Sequence, residues 1–217
     1  MIQEGEQALK EGNAMKKMIL LSFLVLFIPA IVCGQDRFEA PIWNVGDRWN
    51  LTEDVIISVA NADQNTYAVK YFTAGGESIL IYDKSSLNRR YIMDKDKRIN
   101  YEGRNKRLFN FPLEIGKSWT DKFLIKAGTF GAQEFTVIET FTPLGWEDIQ
   151  IQAGKFRAVK LEYKSEMPVH AEGRPKEGKA WYWYSPDVKY MLKCQYDRTD
   201  YWDAIYDWEL TSIKLIK

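Results

Sequence analysis

The sequence predicts an all-β protein: a curled antiparallel sheet, either an open half-barrel or a flattened barrel, built from two related β-meanders. Three observations support this prediction. After Gln35 the chain is rich in Trp, Tyr, Phe, Val, Ile and Thr, with apolar and polar residues alternating. Turn residues recur at short intervals, and no stretch keeps the 3.6-residue apolar period of a helix. Many short strands at hairpin spacing indicate an antiparallel sheet.

The segment before this domain reads as an export signal. Met15-Lys16-Lys17 is a basic start, residues 18–32 are an apolar run of 15 residues, and Gly34 is a small residue before polar sequence. These are the parts of a secretory signal peptide, here residues 15–34. The run is shorter than the roughly 20 apolar residues of a membrane-spanning helix. We therefore expect an exported protein, periplasmic or extracellular, that is not integral to the membrane.

Two features of this leader need interpretation. Residues 1–14 are polar and precede the basic start, and Lys10-Glu11-Gly12 can be encoded as a ribosome-binding sequence just ahead of the Met15 codon. We interpret residues 1–14 as a spurious N-terminal extension. Cleavage after Gly34 would remove Cys33. The alternative is that Cys33 is lipidated and anchors a lipoprotein to a membrane.

Composition excludes some classes of function. The chain has 30 Lys and Arg against 30 Asp and Glu, and the balance persists without residues 1–34. Nucleic-acid binders usually carry a basic excess, so we expect no nucleic acid among the partners. After cleavage only Cys194 remains, and one thiol cannot form an internal disulfide, so the core must hold the domain together. We expect Cys194 to be a small apolar filler.

Residues 35–217 form a single predicted β-domain. Its predicted turns include Pro143-Leu144-Gly145 and Ala153-Gly154. The candidate strands, in chain order, are Arg48–Asn61, Thr66–Thr73, Ser78–Asp83, Arg89–Asp94, Arg98–Tyr101, Ser118–Ala127, Gln133–Thr142, Glu147–Ile151, Ala158–Lys164, Lys179–Ser185, Tyr190–Asp197 and Asp207–Leu215.

A weak internal repeat divides this domain into halves at about 41–101 and 109–217. Residues 43–49 and 113–119 share an apolar-x-(Val/Ile)-Gly-charged-x-Trp pattern that ends at Trp49 and Trp119. Further on, residues 67–71 resemble 157–161, and 82–84 resemble 184–186, in the same order. We interpret the repeat as two related meanders. Gly46 and Gly116 permit a backbone turn before each strand, and the tryptophans are candidate core anchors.

The second half carries motifs of a known group. Phe-Pro-Leu-x-x-Gly-x-x-Trp occurs at residues 111–119, Ala-Gly-x-Phe-x-Ala at 153–158, and Trp-Tyr-Ser-Pro at 183–186. Together they resemble the TapB-like family of uncharacterised bacterial exported proteins and lipoproteins. The resemblance covers about residues 109–193. It implies a curved antiparallel sheet, related to the β-clam of the lipoprotein-localisation carriers, and no established activity.

The densest aromatic segment is residues 181–184, which places aromatic side chains on both faces of one strand. One face can serve the core, and the other must meet a second layer, a partner or a ligand. We predict a noncatalytic envelope protein that binds a hydrophobic small molecule or a lipid-bearing partner on a concave aromatic surface. The alternative is a structural or protein-interaction module of the envelope with a filled core. The candidate ligand-binding residues are Trp181, Trp183, Tyr184, Tyr196 and Trp208.

Catalysis finds little support in the sequence. The single histidine, His170, lies in a polar loop, and neither a Gly-x-Ser-x-Gly elbow nor a metal-ligand spacing occurs. We therefore predict no catalytic residues, no metal and no cofactor. A hydrolase built on carboxylate pairs, such as Glu162 with Glu166 or Asp200 with Asp203, is the alternative.

Overall fold

Strands and turns make up the part of the chain that the structure, a computed structural model, describes: residues 37–94, 97–99, 108–127, 133–167, 176–197 and 207–217. Within these ranges no helix occurs, which confirms the predicted all-β class. The leader, including Cys33, and the predicted loop with His170 lie outside the described residues.

The first meander contains six consecutive strands, preceded by the short strand β1 (Arg37–Phe38). Period-2 alternation of buried and exposed residues is clearest in β3 and β4. The six strands are β2 (Arg48–Leu51), β3 (Ile56–Ala62), β4 (Thr66–Thr73), β5 (Gly76–Asp83), β6 (Arg89–Asp94) and β7 (Lys97–Ile99).

The second meander contains longer strands, and it follows the short strand β8 (Leu113–Glu114), which pairs with β1. Its strands are β9 (Trp119–Ala127), β10 (Gln133–Ile151), β11 (Gly154–Met167), β12 (Lys176–Ser185), β13 (Tyr190–Asp197) and β14 (Trp208–Lys214).

Both meanders belong to one antiparallel sheet of twelve strands among the described residues, in the order β7-β6-β5-β4-β3-β2-β14-β13-β12-β11-β10-β9. They join where β14 pairs with β2, with Leu210 opposite Leu51. The prediction of two meanders in an antiparallel sheet is thus confirmed. In the described residues, β7 and β9 are the two ends of the sheet and do not pair with each other. The sheet is therefore open, and the flattened-barrel alternative is wrong.

One face of the sheet surrounds the main hydrophobic core. Trp49 on β2, Val69 on β4, Phe141 on β10 and Tyr182 on β12 are all buried in the same cluster. Because strands from both halves of the sheet contribute to it, the sheet must curl around this core. Burial of so many large apolar side chains is the main stabilising contribution to such a domain.

The turn before β2 ties the first meander to the segment after β14. Gly46 has a φ of 96°, and the Asp47 amide donates to the Asn44 carbonyl at 2.9 Å. The Asp47 carboxylate is fully buried and accepts hydrogen bonds from the backbone amides of Asn44 (2.9 Å) and Ile216 (2.7 Å). Its Oδ2 also lies 3.4 Å from Lys189 Nζ. This carboxylate therefore links three segments that are distant in sequence.

The turn before β9 has the same form. Gly116 has a φ of 81°, and the Lys117 amide donates to the Glu114 carbonyl at 3.1 Å. As predicted, both glycines adopt a positive φ, and the tryptophan three residues later is buried in each case, Trp49 and Trp119. Lys117, in contrast to the buried acid in the first turn, is exposed.

Two predicted strand boundaries are wrong. The predicted strand Arg48–Asn61 is a hairpin, because Glu53 and Asp54 adopt left-handed conformations that reverse the chain between β2 and β3. The predicted turn at Pro143-Leu144-Gly145 lies inside the continuous strand β10, where the register with β11 shifts at a bulge between Pro143 and Gly145. The Pro143 carbonyl accepts a hydrogen bond from the Gly116 amide at 2.8 Å, just beyond the end of the β9–β10 ladder. Because Pro143 lies beyond that ladder, the N–H that proline lacks removes no ladder hydrogen bond.

Candidate functional site

Strand β12 contributes aromatic side chains to both faces of the sheet, as its sequence predicts. Tyr182 lies opposite Leu161 and Cys194, and it faces the core. Trp181 lies opposite Glu162 and Gln195 on the other face, which we call the outer face. Tyr182 and Trp181 therefore meet different surroundings although they are adjacent in sequence.

The core-facing aromatic residues of the second meander pack against one another. Trp119 stacks on Phe141 with ring centroids 5.3 Å apart, and Phe141 lies 4.9 Å from Tyr163. Tyr163 in turn makes an edge contact with Tyr182 at 6.0 Å. All four are buried, and burial raises the pKa of Tyr182 well above its ordinary value. The curled interior is thus occupied by the protein's own side chains.

A buried polar pair lies within this aromatic region. The Tyr163 hydroxyl donates to Glu139 Oε1 at 2.8 Å, and Glu139 is fully buried. Gly178 on β12 lies close to two further polar side chains. A Cβ added to Gly178 would lie 2.6 Å from Ser165 Oγ and 2.9 Å from the Tyr196 hydroxyl. The absence of a side chain at Gly178 therefore leaves room over β12 for both hydroxyl groups.

The five predicted ligand-binding residues do not form one site. All five belong to the core cluster or pack against it, and Trp183, Tyr184 and Tyr196 are buried. Burial raises the pKa of Tyr184. Trp181 and Trp183 lie on the outer face, where Trp183 is only 6% exposed. Whether any of the five binds a ligand stays a prediction.

The outer face of β11–β13 carries alternating lysines and tryptophans, which we call the lysine–tryptophan ladder. Lys179 Nζ lies 5.0 Å from the Trp181 ring, and Lys160 Nζ lies 5.9 Å from Trp181 and 5.2 Å from Trp183. Lys193 Nζ lies 5.3 Å from the Trp183 ring. Each tryptophan therefore has two ammonium groups within the range of cation–π attraction.

Two glutamates hold Lys160 and Lys179 of the ladder in place. Glu147 accepts the Trp183 indole N–H at 2.8 Å and Lys160 Nζ at 3.1 Å. The hydrogen bond from Trp183, followed by the contact with Lys160, lowers the pKa of Glu147. This arrangement fixes the Trp183 ring through both its N–H edge and its faces.

Glu162 binds Lys179 of the ladder and the neighbouring Lys164. Its two carboxylate oxygens lie 2.8 Å from Lys164 Nζ and from Lys179 Nζ. These two interactions, the one with Lys164 first, lower the pKa of Glu162. Of the three lysines that lie near the tryptophan rings, Lys160 and Lys179 are thus restrained by carboxylates. Chemically, this face is suited to ordered polar contact with a macromolecule more than to stacking of a small ring on a bare indole.

Two cavities lie away from the predicted aromatic residues. One, of about 490 Å³, lies at the end of the β10–β11 hairpin and is lined by residues 148–150 and 155–157, which include Ile149 and Phe156. The other, of about 250 Å³, is lined by residues 164–166, 177–179 and Asp197, most of them charged. In neither does a predicted ligand-binding residue line the wall.

In the ranges that the structure describes, no group of three or more His, Cys, Asp or Glu side chains is arranged to hold a metal ion. No helix long and apolar enough to cross a membrane occurs in the same residues. Of the predicted carboxylate pairs, Glu162 and Glu166 lie on β11, and Asp200 and Asp203 lie outside the described residues.

No family model matches the sequence, and no curated protein matches it. The fold is similar to solved structures. One is the hypothetical lipoprotein YmcC of Escherichia coli, with 11% identity, 73% of this chain and 81% of that chain covered, and a TM-score of 0.42. Another, from Parabacteroides distasonis, is described as a lipoprotein (14%, 83% and 100%, 0.43). A third, from Bacteroides fragilis, is described as an exported protein with a YmcC-like fold (14%, 82% and 100%, 0.44).

At these values the similarity does not place the chain in a family. The resemblance to TapB-like proteins and to the β-clam of the localisation carriers therefore stays a prediction. The sequence did not identify the ladder lysines as functional candidates. Alternation predicts that Lys160 and Lys193 face outward, but it does not reveal which side chains on neighbouring strands these lysines contact.

Proposed function

We propose that this chain is a noncatalytic, exported protein of the cell envelope that acts as an interaction module through the outer surface of its sheet. One observation carries the proposal. Phe141, Tyr163 and Tyr182 fill the curled interior and are buried against one another. A filled interior leaves the outer face, with its ordered lysine–tryptophan ladder, as the surface available for recognition.

Export is supported by the leader. The basic start at Lys16 and Lys17, the apolar run 18–32 and the small Gly34 are the sequence features that direct a chain out of the cytoplasm. We infer a periplasmic or extracellular location for residues 35–217. Lipidation at Cys33 would add a membrane anchor to the same module.

A hydrophobic small-molecule ligand is the second candidate. It is supported by the cavity of about 490 Å³, where Ile149 and Phe156 offer apolar surface. That volume falls within the range of small-molecule sites. The cavity lies at a hairpin end, however, and its Lys155 and Arg157 would favour an acidic group on such a ligand over a purely apolar one.

Photocrosslinking in expressing cells tests the interaction module. A photoreactive phenylalanine analogue replaces Phe72 or Lys193, both on the outer face, and replaces Asp63, in an exposed turn, as the control. We expect protein adducts from positions 72 or 193 and none from position 63. The proposal would be overturned if the two outer-face positions gave no protein adduct in cells where the exported protein accumulates.

A further inference from the structure

We propose that the outer face of the first meander packs against the same face of a second copy of this chain. This inference rests on the proposed function and names the partner of the module. The surface consists of six apolar side chains on four adjacent strands, β3 to β6, and we call it the apolar face. Its residues are Ile56, Phe72, Ile79, Ile81, Tyr91 and Met93.

Strand register makes these side chains neighbours. Residues directly opposite each other in antiparallel strands project to the same side of the sheet. Here the cross-strand pairs are Ile56 with Phe72, Ile79 with Met93, and Ile81 with Tyr91. The six side chains therefore form two apolar groups on one face, Ile56 with Phe72 on β3–β4 and the other four on β5–β6, and the Lys70–Glu77 pair lies between the groups.

The apolar face is distinct from the core. Val69 and Leu80, the neighbours that point the other way, are buried. Phe72 is 45% exposed, the other five are half-buried, and none of the six belongs to the core cluster or packs against it. Apolar side chains clustered on a sheet face in this way commonly mark an interaction site.

The second meander carries different side chains at the same positions. Ile81 lies one residue before Tyr82, as Trp183 lies one residue before Tyr184, and each is the outer-face residue near the end of its strand. Opposite Ile81 stands Tyr91, whereas opposite Trp183 stands Lys193.

The next row shows the same contrast. Ile79 faces Met93, while Trp181 faces Gln195. On the second meander, lysines lie near the tryptophans, and glutamates hold Lys160 and Lys179. On the first meander, these two cross-strand pairs are apolar on both strands. At these two rows, the first meander therefore presents apolar surface that gains by losing contact with water.

Charge identifies a second copy as the occupant. Lys70 and Glu77 lie among the apolar side chains and pair at 3.0 Å, so these two residues add no net charge to the face. A two-fold axis through the face would bring Lys70 of each copy toward Glu77 of the other, which is the self-complementarity that an isologous dimer needs. The chain as a whole has equal numbers of basic and acidic residues, so repulsion between copies is weak. An anionic lipid surface would find no excess of cations in this pair.

Area sets the strength of this association. Four strands at about 4.8 Å spacing and about six residues at about 3.3 Å give a face of about 400 Å² per copy. Two faces would bury about 800 Å² together, below the roughly 1,200 Å² of stable complexes. We therefore expect a weak, reversible dimer, with a dissociation constant on the order of 100 μM, in which two sheets pack face to face.

Sedimentation equilibrium on the exported, processed protein tests this inference, over about 1 to 500 μM so that the range brackets the expected affinity. The variants are Phe72→Glu and Ile81→Lys, with Leu144→Glu as the control because Leu144 is 48% exposed and lies outside the face. We expect wild type and Leu144→Glu to dimerise equally, and each face variant to dimerise at least about tenfold more weakly. Circular dichroism confirms that each variant is folded.

Two results would overturn the inference. One is a wild-type protein that remains a monomer at all concentrations, and the other is a dimer that both face variants leave unchanged. Neither result contradicts the interaction module itself, which fails only if the outer-face photocrosslinks in cells capture no protein. Crosslinks to other proteins together with a monomer in solution would show that the module exists and its partner is not a second copy.

Discussion

Replacing Phe141 with alanine tests whether the curled interior is a filled core. Phe141 is fully buried and its ring lies 4.9 to 6.3 Å from the rings of Trp119, Tyr163 and Tyr182. Losing a buried phenylalanine and leaving a cavity costs about 3 to 5 kcal/mol. We expect that loss in the free energy of unfolding, because the neighbouring rings belong to three different strands and cannot all collapse into the gap.

The matched control is Phe72→Ala, the same chemical change on the outer face. Phe72 is 45% exposed, so its replacement gives up only part of its burial and should cost about 1 kcal/mol or less. Urea unfolding followed by tryptophan fluorescence measures both. For a slope of about 2 kcal/mol per molar, Phe141→Ala lowers the midpoint by about 2 M. Equal losses for the two variants, or a loss below about 1 kcal/mol for Phe141→Ala, would refute a filled interior.

Three further predictions concern single side chains. Asp47→Ala should lower the free energy of unfolding by about 3 kcal/mol in chemical denaturation, because it leaves buried donors without their acceptor. Lys117→Ala, at the matching exposed turn, should lower it by under about 0.5 kcal/mol. Similar losses for the two variants would contradict the role of the buried carboxylate. Gly178→Ala should destabilise by about 1 to 3 kcal/mol through its 2.6 Å approach to Ser165 Oγ, and adding Ser165→Gly should recover part of that loss; no recovery would place the strain elsewhere. Burial raises the pKa of Tyr82 to about 12, so its contribution to stability is complete below pH 10 and declines as pH rises toward 12; Tyr82→Phe should flatten this alkaline decline, and an unchanged profile would exclude Tyr82 as its source.

Local sequence patterns predicted much of the fold. Alternation identified the strands, since Val159, Leu161 and Tyr163 are buried while Lys160 and Glu162, between them, are not. Gly46 and Gly116 revealed both turns that open a meander, because only a residue without a side chain readily adopts their φ. These features depend on residues close in sequence.

Features that depend on partners distant in sequence were harder to predict. Pro143 and Gly145 look like a turn, yet β11 continues past them, and pairing with β11 converts the irregularity into a bulge. Glu53 and Asp54 carry no glycine signal for the tight hairpin that they form. Alternation alone does not reveal whether the two edge strands of a sheet pair with each other. The choice between an open sheet and a barrel therefore depended on long-range pairing.

The candidate site shows the same limit. Its tryptophans were named as candidate ligand-binding residues from the aromatic segment 181–184, and the split of that segment between two faces follows directly from the two-residue period of a strand. The covering of Trp183 by Lys160 and Lys193 required the register of three strands. The apolar face was likewise invisible until Ile79 and Ile81 were placed opposite Met93 and Tyr91.

Native mass spectrometry of the exported protein, purified without detergent, tests the central claim most directly. If aromatic side chains such as Tyr163 and Tyr182 fill the interior, the folded protein should appear at the mass of the polypeptide, with any covalent lipid at Cys33 accounted for by denaturing mass measurement. A noncovalent lipid or other apolar molecule that remains bound in the native spectrum and disappears on unfolding would contradict that claim.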